Sequence, residues 1–136
     1  MDNKEGNYIL FGDKGMAPHR EYTFYPFESI DKNLSKDLFS ISISLRYTDS
    51  CKFKFLPLKV EYASLVNDSI IEKNIKIPLF DDNGRYKGKG NLGIYESEIS
   101  LINNQPFEEG FFISLSTFET KTEGIISLGV ITMKNL

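Results

Sequence analysis

The chain has one cysteine, one histidine, no tryptophan and no apolar run long enough to cross a bilayer as a helix. Each shortage closes off a class of chemistry. A lone Cys51 can form neither an intrachain disulfide nor a cysteine-based metal cluster, so a small, partly buried thiol in a strand is expected. A lone His19, between Pro18 and Arg20 in an expected loop, excludes a multi-histidine metal site and reads as a surface residue. It is also the one imidazole available to activate a serine or cysteine nucleophile. Sixteen basic residues against nineteen acidic ones give a net charge of −3, which leaves no overall basic face for nucleic acid. No window of the chain carries the 3.6-residue periodicity of an amphipathic helix, and the polar opening MDNKEGN is not a secretory signal.

What the chain does have is eleven Phe and seven Tyr, a composition suited to pleated, half-buried surfaces. The dominant period is two. In Leu38–Tyr47 the residues Phe39, Ile41, Ile43, Leu45 and Tyr47 share one face, while Ser40, Ser42, Ser44 and Arg46 share the other. Phe53 and Phe55 have one parity and Leu58, Val60 and Tyr62 the opposite one, so a bulge or edge kink is expected at Leu56–Pro57. Ile71, Ile75, Ile77 and Leu79 alternate next. With a turn at Asn67–Asp68 they predict a hairpin in which Val60 faces Ile75, Leu58 faces Ile77 and Tyr62 faces Lys73. Further strands are expected at Glu21–Phe27, Glu96–Ile102, Gly110–Glu119 and Gly124–Lys134, with a short one at Tyr8–Phe11. Ser29–Asp37 and Asn103–Gly110 read as polar connections. At 136 residues this is a single all-β domain. About seven or eight strands imply an antiparallel two-sheet β-sandwich, jelly-roll-like or immunoglobulin-like.

The block Pro78–Tyr95, PLFDDNGRYKGKGNLGIY, interrupts this pattern with Gly84, Gly88 and Gly90 set among Arg85, Lys87 and Lys89. Its Asp81-Asp82-Asn83-Gly84 start lacks the ligand order and closing Glu of an EF-hand. A β-turn with Gly84 at positive φ is the better reading, and a calcium clip the alternative. The GRYKGKG run misses the P-loop spacing and leads into no helix that could hold phosphate. As a recognition loop, its glycines would let backbone approach a partner, with Arg85, Tyr86 and Tyr95 as anchors and Lys87 and Lys89 as flanking charges. As a structural element, Tyr86 would plug the end of the sandwich and the lysines would solvate the loop. The nineteen carboxylates offer many pairs, but glycoside hydrolysis needs two of them facing across a cleft about 5–10 Å apart. No such pair is marked by spacing.

Read whole, the run from Pro78 to Gly90 resembles the central motif of the GldH family of gliding motility lipoproteins: a Pro-Leu strand end, an Asp/Asn-Gly turn, an Arg-aromatic pair and a Gly-Lys-Gly. Gly93-Ile94-Tyr95, the Phe107–Gly110 lead-in to a strand, the closing Gly124–Val130 and the aromatic Tyr22–Phe27 are similar to the family as well. The resemblance implies a cell-envelope lipoprotein, periplasm-facing or at the surface, held to the membrane by a lipidated N-terminal cysteine that this chain does not contain. Met1 stands where that signal and cysteine are expected, so residues 1–20 are read as a tether following a removed signal and 21–136 as the single sandwich domain. Together with the loop's composition this leads to an expected non-enzymatic role, without metal or cofactor: a module that docks to other envelope proteins of a motility or secretion machinery, with Arg85, Tyr86, Lys87, Lys89 and Tyr95 as candidate contacts. A carbohydrate-binding module is the alternative. Such envelopes also glycosylate Asp-Ser/Thr-apolar tripeptides, which makes Ser69 of Asp68-Ser69-Ile70 a candidate O-glycosylation acceptor at the expected hairpin tip.

Overall fold

The strict alternation of the Leu38–Thr48 segment produces the central strand of the molecule in the computed structural model, which describes residues 4–34, 36–64 and 69–135. In this strand, β3 in chain order, Phe39, Ile41, Ile43, Leu45 and Tyr47 have no exposed surface at all. Before it come β1 (Lys4–Leu10) and β2 (Tyr22–Phe24), and after it β4 (Phe55–Ser64), β5 (Ser69–Pro78), β6 (Lys89–Asn91), β7 (Ile94–Pro106), β8 (Phe112–Ser116) and β9 (Ile125–Lys134). A single 3-10 turn, Lys32–Leu34, lies in the β2–β3 connection.

Two antiparallel sheets result, one in the order β1-β9-β3-β7-β6 and the other β2-β8-β4-β5. Inward residues of β3 and of β9 (Leu128, Val130) meet Leu56, Leu58 and Val60 of β4 and Ile113 and Leu115 of β8 in one apolar core. Each such side chain contributes about 1.5–3 kcal/mol by leaving water, which is why the two-residue period decides the fold. The expected two-sheet sandwich is what forms.

Four details differ from the sequence reading. The described residues hold nine strands, the extra one being the three-residue β6 inside the glycine-rich block. The β4–β5 hairpin pairs Leu56 with Ile77, Leu58 with Ile75, Val60 with Lys73 and Tyr62 with Ile71, two residues away from the expected register. A two-residue shift keeps every side chain on its face, and it places three apolar pairs opposite one another where the expected register placed two. The expected tip, Asn67–Asp68, lies outside the described residues. Pro57 makes no bulge: β4 alternates without interruption from Leu56, Phe55 faces outward, and Phe53 precedes the strand. Pro57 lies beyond the last β8 pair, and its carbonyl accepts a hydrogen bond from Thr117 Oγ1 at 2.7 Å. Finally, β7 runs on through Pro106, so Asn103–Pro106 belongs to a strand and not to a connection.

Sheet pairing begins at Lys4, within the 1–20 stretch, where β1 runs beside β9 from Lys4↔Met133 to Leu10↔Ser127. On the outer face the Tyr8 ring lies over Gly129, where a β-carbon would come within 2.2 Å of it, and the Arg46 guanidinium stands 5.3 Å from the ring centroid. The start of β1 therefore shares one end of the sandwich with the start of β3 and the ends of β7 and β9. The glycine-rich segment, between the end of β5 and the start of β7, occupies the opposite end.

Candidate functional site

Leaving β5 at Pro78, the chain folds into a small hairpin closed by a bridge between Phe80 and Tyr86. Its tip is Asp81–Arg85. The Asp81 amide donates to the Arg85 carbonyl at 2.7 Å, and the Gly84 amide to the Asp81 carbonyl at 3.0 Å. Asp81 Oδ1 accepts from the amides of Asn83 and Arg85, both at 2.9 Å. Gly84 has φ 77°, the left-handed residue that a three-residue hairpin loop needs. This is the turn expected from Asp-Asp-Asn-Gly. Its first carboxylate serves backbone amides, and its second pairs with Lys54 Nζ at 2.9 Å, a partner that lowers the Asp82 pKa. Among the described residues no group of three or more His, Cys, Asp or Glu side chains is gathered for a metal ion.

Tyr47, at the end of β3, ties this hairpin to the sandwich. Its hydroxyl donates to the Leu79 carbonyl at 2.7 Å and accepts from the Gly88 amide at 2.9 Å. Ser97 Oγ donates to the Pro78 carbonyl at 2.9 Å, and the Lys87 amide to the Leu79 carbonyl at 2.8 Å. Gly88 is required by closeness: a β-carbon there would lie 2.6 Å from the Glu96 carbonyl oxygen and 2.8 Å from Tyr47 Oη. Directional bonds thus fix the path of a segment that its composition alone would leave loose.

The aromatic residues of the block pack together. Tyr86 stacks on Tyr95 with centroids 3.4 Å apart and planes 16° from parallel, while Phe80 lies 5.0 Å from Tyr86 and 5.7 Å from Tyr47. The Tyr86 hydroxyl is pushed from 10.0 up to about 12, first by its hydrogen bond with Tyr95 and then by burial. Of the five residues singled out as partner-binding, Tyr86 and Tyr95 are therefore half-buried against one another and the core, whereas Arg85, Lys87 and Lys89 are exposed. Lys87 and Lys89 border a shallow polar cleft of about 610 Å³ with Glu96 and Glu98. Ser69 opens β5 with its side chain exposed, at the far end from this loop.

The remaining candidates sit apart. Cys51 is buried in the Thr48–Cys51 turn and not in a strand, and burial pushes its thiol up to about 11, well above neutral pH. His19 is exposed in a loop, its amide bonded to the Thr117 carbonyl. Sequence reasoning missed Leu92. It stands with Gly93 at the tip of the β6–β7 hairpin, where Asn91 pairs with Ile94, and it is 95% exposed. The visible signal was an aliphatic residue set directly before a turn glycine.

These features define a class: a two-sheet antiparallel sandwich that holds a hydrogen-bonded, glycine-rich hairpin segment at one end. A comparison with curated proteins finds no match. The model of the GldH lipoprotein family matches residues 20–128, four-fifths of the chain, and the chain belongs to that family. The matched stretch takes in β2 through the first part of β9, the whole glycine-rich segment included, and leaves β1 outside. Membership makes it a membrane-anchored envelope lipoprotein associated with gliding motility.

Proposed function

We propose that this domain is a non-enzymatic docking module, which binds another envelope protein of a motility or secretion machinery through the glycine-rich end. The observation that carries this reading is positional. The exposed Arg85, Lys87 and Lys89 ride on a segment fastened by Tyr47, at the end of the sandwich opposite the start of β1. A lipid anchor on the N-terminal side would leave that end pointing away from its own membrane attachment, where a partner can reach it. The non-enzymatic part is supported by the causes of the shifted titrations. Cys51 answers to burial, Asp82 to Lys54, Lys59 to Glu61 and Tyr86 to Tyr95, each a structural neighbour. The sugar-binding alternative would rest on the exposed rings of Tyr8, Tyr25, Phe55 and Phe118, which come from four separate segments of the chain.

The test is co-purification of the full-length lipoprotein from its own envelope after mild crosslinking, beside an Arg85→Ala/Lys87→Ala/Lys89→Ala variant. The three side chains are exposed, so the variant should melt with the wild type while its partner yield falls and its association slows. An equal yield would move the interface to another face.

A further inference from the structure

Leu92 and Gly93 form a two-residue hairpin loop with φ 56° and 81°, so both lie in the left-handed region. That turn favours Asn followed by Gly, because a β-carbon at its first position crowds the backbone. A branched aliphatic residue gains nothing locally there. Nor does Leu92 gain by burial, since 95% of it faces solvent, more than any other large apolar residue described. Ile94, two positions on, is also half exposed. Neither backbone preference nor core packing accounts for an aliphatic side chain at this point, and strained residues of this kind collect at binding sites.

The charges around the tip say what it would meet. The carboxylates of the segment are internally engaged, Asp81 by backbone amides and Asp82 by Lys54. Arg85, Lys87 and Lys89 are exposed and enter no ion pair among the described residues. β6 places Lys89 three residues before Leu92 on the same hairpin. Lys87 and Lys89 share their cleft with Glu98 and with Glu96, which Arg46 and Ser44 already hold, so the charge left over around the Leu92 knob is basic.

We propose that Leu92 is the anchor of the docking surface, seating in an apolar pocket with an acidic rim on a partner protein. This rests on the docking reading above and names the contact within it. A buried aliphatic or aromatic knob ringed by polar contacts is the usual energetic centre of such interfaces.

Leu92→Asn separates the proposal from a structural role, because Asn suits the turn better than Leu and removes only the knob. The full-length lipoprotein is compared with Leu92→Asn and with Ile70→Asn, an equally simple change at an exposed residue on β5. The readouts are melting temperature, partner affinity at rising salt, and photo-crosslinking from position 92 in intact envelopes. The expected result is an affinity at least tenfold lower for Leu92→Asn with no loss in melting temperature, and an unchanged affinity for Ile70→Asn. Wild-type binding should weaken with salt, as basic-to-acidic contacts require. Capture of a protein by itself does not count; its dependence on Leu92 does. A partner bound equally by Leu92→Asn overturns this inference and leaves the docking reading standing. Crosslinking to lipid in place of protein also overturns it. No partner for the wild type overturns both.

Discussion

Both ends of the sandwich are closed by aromatic rings, and the two closures work differently. At the end where β1 starts, Phe27 packs against Phe39, Phe107 and Phe111 at 5.2, 5.2 and 5.7 Å, and Tyr62 lies tilted against Phe111 at 6.0 Å. At the other end Tyr47, Phe80, Tyr86 and Tyr95 cluster, with Tyr86 stacked on Tyr95, and the Tyr47 hydroxyl also bonds to two backbone groups. The phenylalanine end works through buried area, which is strong but not directional. The tyrosine end adds directional bonds, and these set where the glycine-rich segment runs. One end stabilises the fold, and the other positions a loop.

The largest expected effect lies at the phenylalanine end. Phe111 is 1% exposed and touches both Phe27 and Tyr62, so Phe111→Ala should cost about 3–5 kcal/mol and come close to unfolding the domain. Urea denaturation with an unchanged m-value would register it. At the other end Tyr47→Phe keeps the ring and removes the hydroxyl, leaving the Leu79 carbonyl and Gly88 amide without that partner. It should cost about 1–3 kcal/mol, with faster amide exchange confined to the neighbourhood of Gly88. Exchange that quickened evenly through the core would instead mean that Tyr47 supports the whole sandwich, and the contrast between the ends would collapse.

How far the sequence revealed this depends on which physical signal each element carries. β3 was legible because slipping it by one residue would turn five fully buried side chains to solvent. The β4–β5 register was not, because a slip by two leaves each residue on its face and costs only the choice of cross-strand partners. The Asp81–Gly84 turn was legible from local chemistry. The Tyr86–Tyr95 stack was not: both were seen as anchors, and it takes the folding of the Phe80–Tyr86 bridge back beside β7 to bring their rings face to face. Leu92 escaped for a similar reason. Its oddity is a dihedral angle together with an exposure, and neither is written in the residue type.

The smallest effect sharpens the comparison through pH. The four phenylalanine rings have nothing to ionise, whereas Tyr86 is held neutral until about pH 12 in the folded state and loses its proton near 10.0 when free. Unfolded chains then bind fewer protons than folded ones across that interval, so stability falls as pH rises from 10.0 toward 12 and is fully present below it. Cys51, raised from 9.0 to about 11, acts with the same sign and begins the decline one unit earlier. In a Cys51→Ala background, denaturation at rising pH should isolate the tyrosine contribution, and Tyr86→Phe should flatten it. Phe111→Ala should lower the whole curve without changing its slope. If Tyr86→Phe left the slope as it was, the surroundings of the Tyr86 hydroxyl would not be what distinguishes this end, and the positioning of the segment would fall to Tyr47 alone.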